Sequence, residues 1–189
     1  MALTILSMDP GTTNFAASII RVASVGESLK TQVIGTRLVT NTIKVPGDLV
    51  REARAFRAEI FSLESSHGPF DLVVAERFQS RGLKGLTIES INMMLGVLAT
   101  MFDSFTVYTA ATWKNAFNRK FNLKELYEIQ KQLNKPIKKS ERRTVHELDC
   151  TLMGLFHACK HLGYDPFSQI EDNDKLLKFL NHFDNSQIV

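Results

Sequence analysis

Asp9 directly follows Ile5-Leu6-Ser7-Met8, and Glu76 directly follows Leu72-Val73-Val74-Ala75. Each places a carboxylate at the end of an apolar run that reads as a buried strand, where a charge is costly unless it is paired or binds a cation. If the two strands are neighbours, their ends lie about 4.8 Å apart, close enough to share one divalent ion at about 2.1 Å from each oxygen. The plainer alternatives are that Asp9 opens an Asx-type turn with Pro10-Gly11, and that Glu76 pairs with Arg77 or Arg81. A third element bears on the choice. In His146-Glu147-Leu148-Asp149 a helical spacing of three puts His146 and Asp149 on one face and turns Glu147 roughly opposite Asp149. Leu152, Met153 and Phe156 continue the core side of that helix, so His146 and Asp149 should look inward toward the sheet and can serve one site.

Two other motifs compete. Asp9-Pro-Gly-Thr-Thr13 also fits the phosphate-holding turn of actin-like and sugar-kinase ATPases, but those folds place two domains about a cleft, beyond a single domain of about 100 to 200 residues. His146 to Cys150 resembles a zinc-protease helix with Cys in place of the second His, and no further ligand is identifiable. His157 and His161, also four apart, read as ordinary exposed or capping histidines.

The elements that must position these groups follow from periodicity. Leu3–Met8, Phe15–Val22 and Leu29–Val39 read as a meander of strands with turn chemistry between them. A helix opening at Pro46 and running to about Glu64 carries Leu49, Ala53, Phe56, Ile60 and Leu63 at helical spacing, and Gly68-Pro69 ends that unit. Phe70–Ala75 is apolar without alternation, as in a strand buried on both faces, and Glu76 terminates it. A basic, Gly-punctuated loop from Arg77 to Gly85 leads to a helix over Thr87–Phe102 and a short strand over Phe105–Tyr108. Beyond Ala110 the chain reads as helical, with a break at Asn134-Lys135-Pro136, a long helix from Ser140 to Leu162, and a short helix around Lys175–Phe183.

Length and composition bound the class. A chain of 189 residues with 44% apolar content suffices for one domain with a real core, and a single domain over residues 1–189 is expected. The longest apolar candidate for a membrane span, Met93–Phe102, is about half the roughly 20 residues required, and the start of the chain does not read as a signal peptide. Cys150 and Cys159 fall in one helical pattern, about 13 Å apart, and cannot bridge. These features predict an intracellular, reducing, cytoplasmic location. The net charge of +3 is uneven: Lys114 to Arg143 holds ten Lys/Arg against three acids, a net of +7, leaving −4 for the remainder. A polyanion is the natural partner of such a segment, although a solvated helical face is the commoner meaning of a charge run.

Taken in order, Ile5-Leu-Ser-Met-Asp-Pro-Gly-Thr-Thr-Asn14, Val73-Val-Ala-Glu-Arg77, Tyr108-Thr-Ala-Ala-Thr-Trp-Lys114 and His146-Glu-Leu-Asp149 resemble the RuvC family of Holliday junction resolvases. The resemblance covers residues 3–158 and leaves 159–189 as a helical C-terminal extension. It implies an α/β, ribonuclease H-like fold with a five-stranded mixed sheet flanked by helices. It implies that Asp9, Glu76, His146 and Asp149 ligate one or two Mg²⁺ or Mn²⁺ ions, which would activate water and stabilise the leaving oxygen, giving paired nicks with 5′ phosphates in branched DNA. Arg77, Phe78, Arg81, Lys84, Lys114, Lys138, Lys139, Arg142 and Arg143 become DNA contacts, and the helix over Thr87–Phe102 becomes a homodimer interface. The family wedges an aromatic residue, three positions after its Glu, into the junction; here that position is Gln79, and Phe78 lies one earlier.

Overall fold

The computed structural model describes residues 2–11, 14–25, 28–40, 48–77, 85–136, 144–163, 172–173 and 175–176, the segment 28–40 by its backbone. Its elements run β1 (Ala2–Asp9), β2 (Asn14–Val25), β3 (Ser28–Thr40), α1 (Leu49–His67), β4 (Leu72–Arg77), α2 (Leu86–Met101), β5 (Phe105–Thr109), α3 (Ala110–Asn118), α4 (Leu123–Asn134) and α5 (Val145–Leu162). The sheet has the order β3-β2-β1-β4-β5. The first three strands form an antiparallel meander, while β1–β4 and β4–β5 are parallel. This is the mixed α/β sheet flanked by helices that was expected.

Alternation along the central strands divides the core between the two faces of the sheet. Ile5, Leu72, Val74 and Tyr108 join Trp113, Phe117, Leu126 and the α5 residues Leu148, Leu152 and Leu155 on one side. Leu6, Met8, Val73 and Ala75 join Phe56, Ile60 and Leu63 of α1 and Met94 and Leu98 of α2 on the other. Covering on both sides explains why β1 and β4 lack polar alternation. Close approach of α5 to the sheet depends on Gly154, where an added Cβ would stand 2.5 Å from Ile20 Cδ1 and 2.8 Å from Ser7 Cβ.

Local capping sets the helix starts. Asp48 accepts from Arg51 N and caps α1, which begins at Leu49 and runs to His67 before Gly68 ends it. Thr144 and Glu147 form a reciprocal capping box that starts α5 at Val145. Such caps contribute about 1 kcal/mol each. Positions 140–143, expected as the first turn of that helix, lie outside the described residues, as do Pro46 and residues 177–189. In the C-terminal extension Asn173, Lys175 and Leu176 are helical, earlier than expected, and Leu176 is fully buried in the α5-side core. Among the described residues Cys150 and Cys159 form no disulfide, in keeping with their spacing along α5. Among the described residues no helix is long and apolar enough to cross a membrane.

Candidate active site

The register brings the first two acids together. Met8 pairs with Ala75, so Asp9 and Glu76 are the next residues along parallel, adjacent strands. By the same alternation that places Ile5 and Val74 in the α5-side core, both project toward α5. Strand β4 continues through Arg77, so Glu76 does not end its strand but pairs with Tyr108 of β5 inside it. One face of the sheet end thus presents two carboxylates about 4.8 Å apart in strand spacing.

Helix α5 supplies the rest. It is seated across β2 by Cys150, whose thiol donates to the Ala16 carbonyl at 3.2 Å, and by Thr151, whose hydroxyl is 3.0 Å from that of Ser18. That seating brings His146 over β1, with Nδ1 2.7 Å from Asp9 Oδ2. Asp149, one turn on, is buried beside α3 and α4. Lys114 Nζ donates to its Oδ2 at 2.7 Å, and Tyr127 Oη donates to its Oδ1 at 2.6 Å. Glu76 accepts from Trp113 Nε1 at 3.0 Å; among the described residues Arg77 makes no ion pair with it, and Arg81 lies outside them. Of the pair expected to face inward, Asp149 is buried, whereas His146 is exposed and meets the sheet through Asp9; Glu147 turns into the capping box. Cys150 points into the core, so it does not join His146 as the second ligand of a zinc-protease helix.

The electrostatics are those of crowded acids. Burial pushes the Glu76 carboxyl above its usual range, and the charges of Asp9 and Asp149 add to the effect against Trp113 and Lys114. Asp149 is raised too, by burial above all, even though Lys114 and Tyr127 both hold its charged form. The hydrogen bond to Asp9 raises His146. Burial, the Asp149 charge and the bond to it together push the Tyr127 hydroxyl far up, leaving it a neutral donor. At Glu76 and Asp149 burial thus outweighs the donors that the described residues supply.

Among the described residues no three His, Cys, Asp or Glu side chains are gathered as a ready-made metal cluster; each acid is turned to a protein donor instead. The donor chemistry nonetheless fits a hard divalent ion, since three carboxylates offer oxygen ligands and burial raises two of them even with their protein donors in place. Asp9, Glu76 and Asp149 could hold such an ion, with His146 at the exposed edge, its side chain 67% accessible.

Of the other residues singled out in the sequence, Arg77 is exposed at the end of β4, and Lys114 is half-buried in the acid cluster, not on an open surface. Phe78, Gln79, Arg81, Lys84, Lys138, Lys139, Arg142 and Arg143 lie outside the described residues. The reading of His157 as exposed or capping is wrong. It is buried, with Nδ1 2.9 Å from the Tyr108 hydroxyl, because α5 packs that turn against β5. Trp113 and Tyr127 were missed as site residues. Trp113 stood one position before the lysine in a quoted motif, whereas Tyr127 carried only its place in a helix rich in charge.

No family model and no curated protein matches the chain. Among solved structures it is similar to Thermus thermophilus RuvC, with a TM-score of 0.59 and 20% identity over 86% of this chain and 97% of that one. T. thermophilus RuvC in complex with a Holliday junction substrate gives a TM-score of 0.58 with the same 20% identity and the same coverage of 86% and 97%. At this identity the likeness is one of fold, and the fold of this chain is that of RuvC.

Proposed function

We propose that this protein is a divalent-metal-dependent endonuclease that acts on branched DNA, four-way junctions above all, and cuts phosphodiester bonds to leave paired nicks with 5′ phosphates. The observation that carries the reading is that Asp9 and Glu76 stand on adjacent parallel strands of a RuvC-like sheet, on the face where α5 buries Asp149, with Glu76 and Asp149 both raised chiefly by burial. The structural likeness to a RuvC bound to its Holliday junction substrate supports the choice of DNA.

In this reading Asp9, Glu76 and Asp149 hold Mg²⁺ or Mn²⁺, with His146 a ligand or a contact to the scissile phosphate. Bound metal would supply an activated water and neutralise charge on the leaving oxygen. The chain's own residues do the positioning. Trp113 keeps Glu76 oriented, α5 carries His146 and Asp149 as a unit, and Lys114 lies close enough to be redirected from Asp149 to a phosphate. Arg77, Arg81, Lys84, Lys138, Lys139, Arg142 and Arg143 would extend the contact along the backbone, as their charge suits, with Phe78 an aromatic contact beside them. Helix α2, expected over 87–102 and found over Leu86–Met101, is the proposed dimer contact, since a two-fold assembly matches a two-fold junction. Cleavage of synthetic four-way, three-way and linear DNA with Mg²⁺ or Mn²⁺ tests the reading: none by wild type would refute it, and equal cutting of linear duplex would make it a general nuclease.

A further inference from the structure

Asp149 is held from both sides by groups of opposite character. Lys114 brings a full positive charge to Oδ2 at 2.7 Å, and Tyr127 brings a neutral hydroxyl to Oδ1 at 2.6 Å. A divalent cation on the same carboxylate would compete with the ammonium far more than with the hydroxyl. An ammonium and a metal ion sharing Asp149 would repel each other in this largely buried corner. A neutral donor occupies one lone pair and leaves the others open. Lys114 does not depend on Asp149 alone, since its Nζ also lies 4.9 Å from the centre of the Trp113 ring and 5.7 Å from that of Tyr127.

We infer that Tyr127 is a positioning residue for metal binding, fixing the Asp149 carboxylate while Lys114 exchanges with the cation. The helix that carries it is anchored for this task. Leu123 and Leu126 are buried in the core, and Asn122 caps the first turn by accepting from Glu125 N. The C-terminal extension braces the same turn: Asn173 Nδ2 donates to the Asn122 carbonyl at 3.1 Å and to Glu125 Oε2 at 2.9 Å, with Leu176 buried beside it. Tyr127 thus links the extension, which lies outside the RuvC resemblance, to the acid cluster. Groups that orient a ligand from behind typically change metal affinity or activity about 10- to 100-fold when removed.

The inference rests on the metal-site reading above. Its test is Mn²⁺ binding to DNA-free protein, followed by the electron paramagnetic resonance of the free ion, in wild type, Tyr127→Phe and Lys114→Met. Tyr127→Phe should weaken Mn²⁺ binding about 10-fold or more and lower kcat on a four-way junction, with KM for the junction little changed. Lys114→Met, which removes the competing cation, should bind Mn²⁺ more tightly than wild type. If Tyr127→Phe melts well below wild type, difluorotyrosine at position 127, which keeps the shape and strengthens the donor, must shift Mn²⁺ affinity instead. Unchanged Mn²⁺ affinity in a folded variant while wild type binds Mn²⁺ and cleaves would overturn the role of Tyr127 alone. Weaker junction binding at unchanged Mn²⁺ affinity would also overturn it, in favour of a DNA contact. A wild type that neither binds Mn²⁺ nor cuts branched DNA would remove the metal site and this inference together.

Discussion

Trp113 donates its indole N–H to Glu76 Oε2 across 3.0 Å from a fully buried ring, while the next residue, Lys114, reaches Asp149. Adjacent positions on α3 therefore serve different carboxylates. The Trp113 bond holds Glu76 down against burial and the Asp9 charge, which push its carboxyl up. Trp113→Phe should lower stability by about 1–3 kcal/mol, from the lost bond and unfilled volume. It should also move the acidic limb of any pH–rate profile to higher pH, because Glu76 then takes a proton more readily. A profile identical to wild type would show that Glu76 does not need this donor.

Removing charge from the acid cluster should separate activity from stability. Glu76→Gln and Asp149→Asn are expected to reduce cleavage at least about 100-fold, through loss of the groups that would hold the metal. Both side chains have raised carboxyl pKa values, so each folded-state charge carries a cost that the amide lacks. Thermal melts of the metal-free variants should therefore match or exceed wild type, more clearly for Glu76→Gln, since Asp149→Asn also gives up the Lys114 pair. A large fall in melting temperature for Glu76→Gln would point to a structural role instead.

His146 bears on metal choice. Imidazole is a poorer partner for Mg²⁺ than for softer ions, so Mn²⁺ should support cleavage at least as well as Mg²⁺. His146→Asp should shift the preference toward Mg²⁺; an unchanged ratio of the two activities would argue against direct ligation.

His157 makes a separate pH prediction. Burial, with help from His161 and Lys160, lowers its pKa to about 4 from the usual 6.5. The unfolded chain thus binds the proton more readily than the folded one, and no stability is lost on this account above pH 6.5. As pH falls from 6.5 toward about 4 the fold should lose stability, roughly 2 kcal/mol at the lower end after allowing for partial solvent access. Urea melts of wild type and His157→Gln across that range check this: the variant should show a shallower decline.

Gly154→Ala tests the seating of α5. A methyl there meets Ile20 Cδ1 at 2.5 Å and Ser7 Cβ at 2.8 Å, so the helix or strand must yield. The expected cost is about 1–3 kcal/mol, with reduced cleavage because His146 and Asp149 ride on the displaced helix. Full stability and activity would mean the helix has slack.

Much of this arrangement is legible in the residues themselves. The apolar runs before Asp9 and Glu76 define buried strands, and the spacing of His146 and Asp149 defines one helix face, because both are local and periodic. What could not be read is tertiary. Strand β4 extends past Glu76 because β5 pairs with it, which no local pattern reveals. Tyr127 reaches Asp149 from another helix, across 22 positions of sequence, and His157 is buried because its turn meets Tyr108. The start of α5 differs for a local reason: the Thr144–Glu147 capping box was present in the sequence and outweighs the helical pattern drawn from Ser140.

The central claim is metal-dependent cutting of branched DNA by the Asp9–Glu76–Asp149 cluster. Its most direct test compares wild type and Asp9→Asn on a labelled four-way junction and on the matching linear duplex, with Mn²⁺ and with EDTA. The account predicts paired, ligatable nicks in the junction by wild type with Mn²⁺, little cutting of the duplex, and none with EDTA or with Asp9→Asn. Junction cleavage that persists in Asp9→Asn or in EDTA would contradict it.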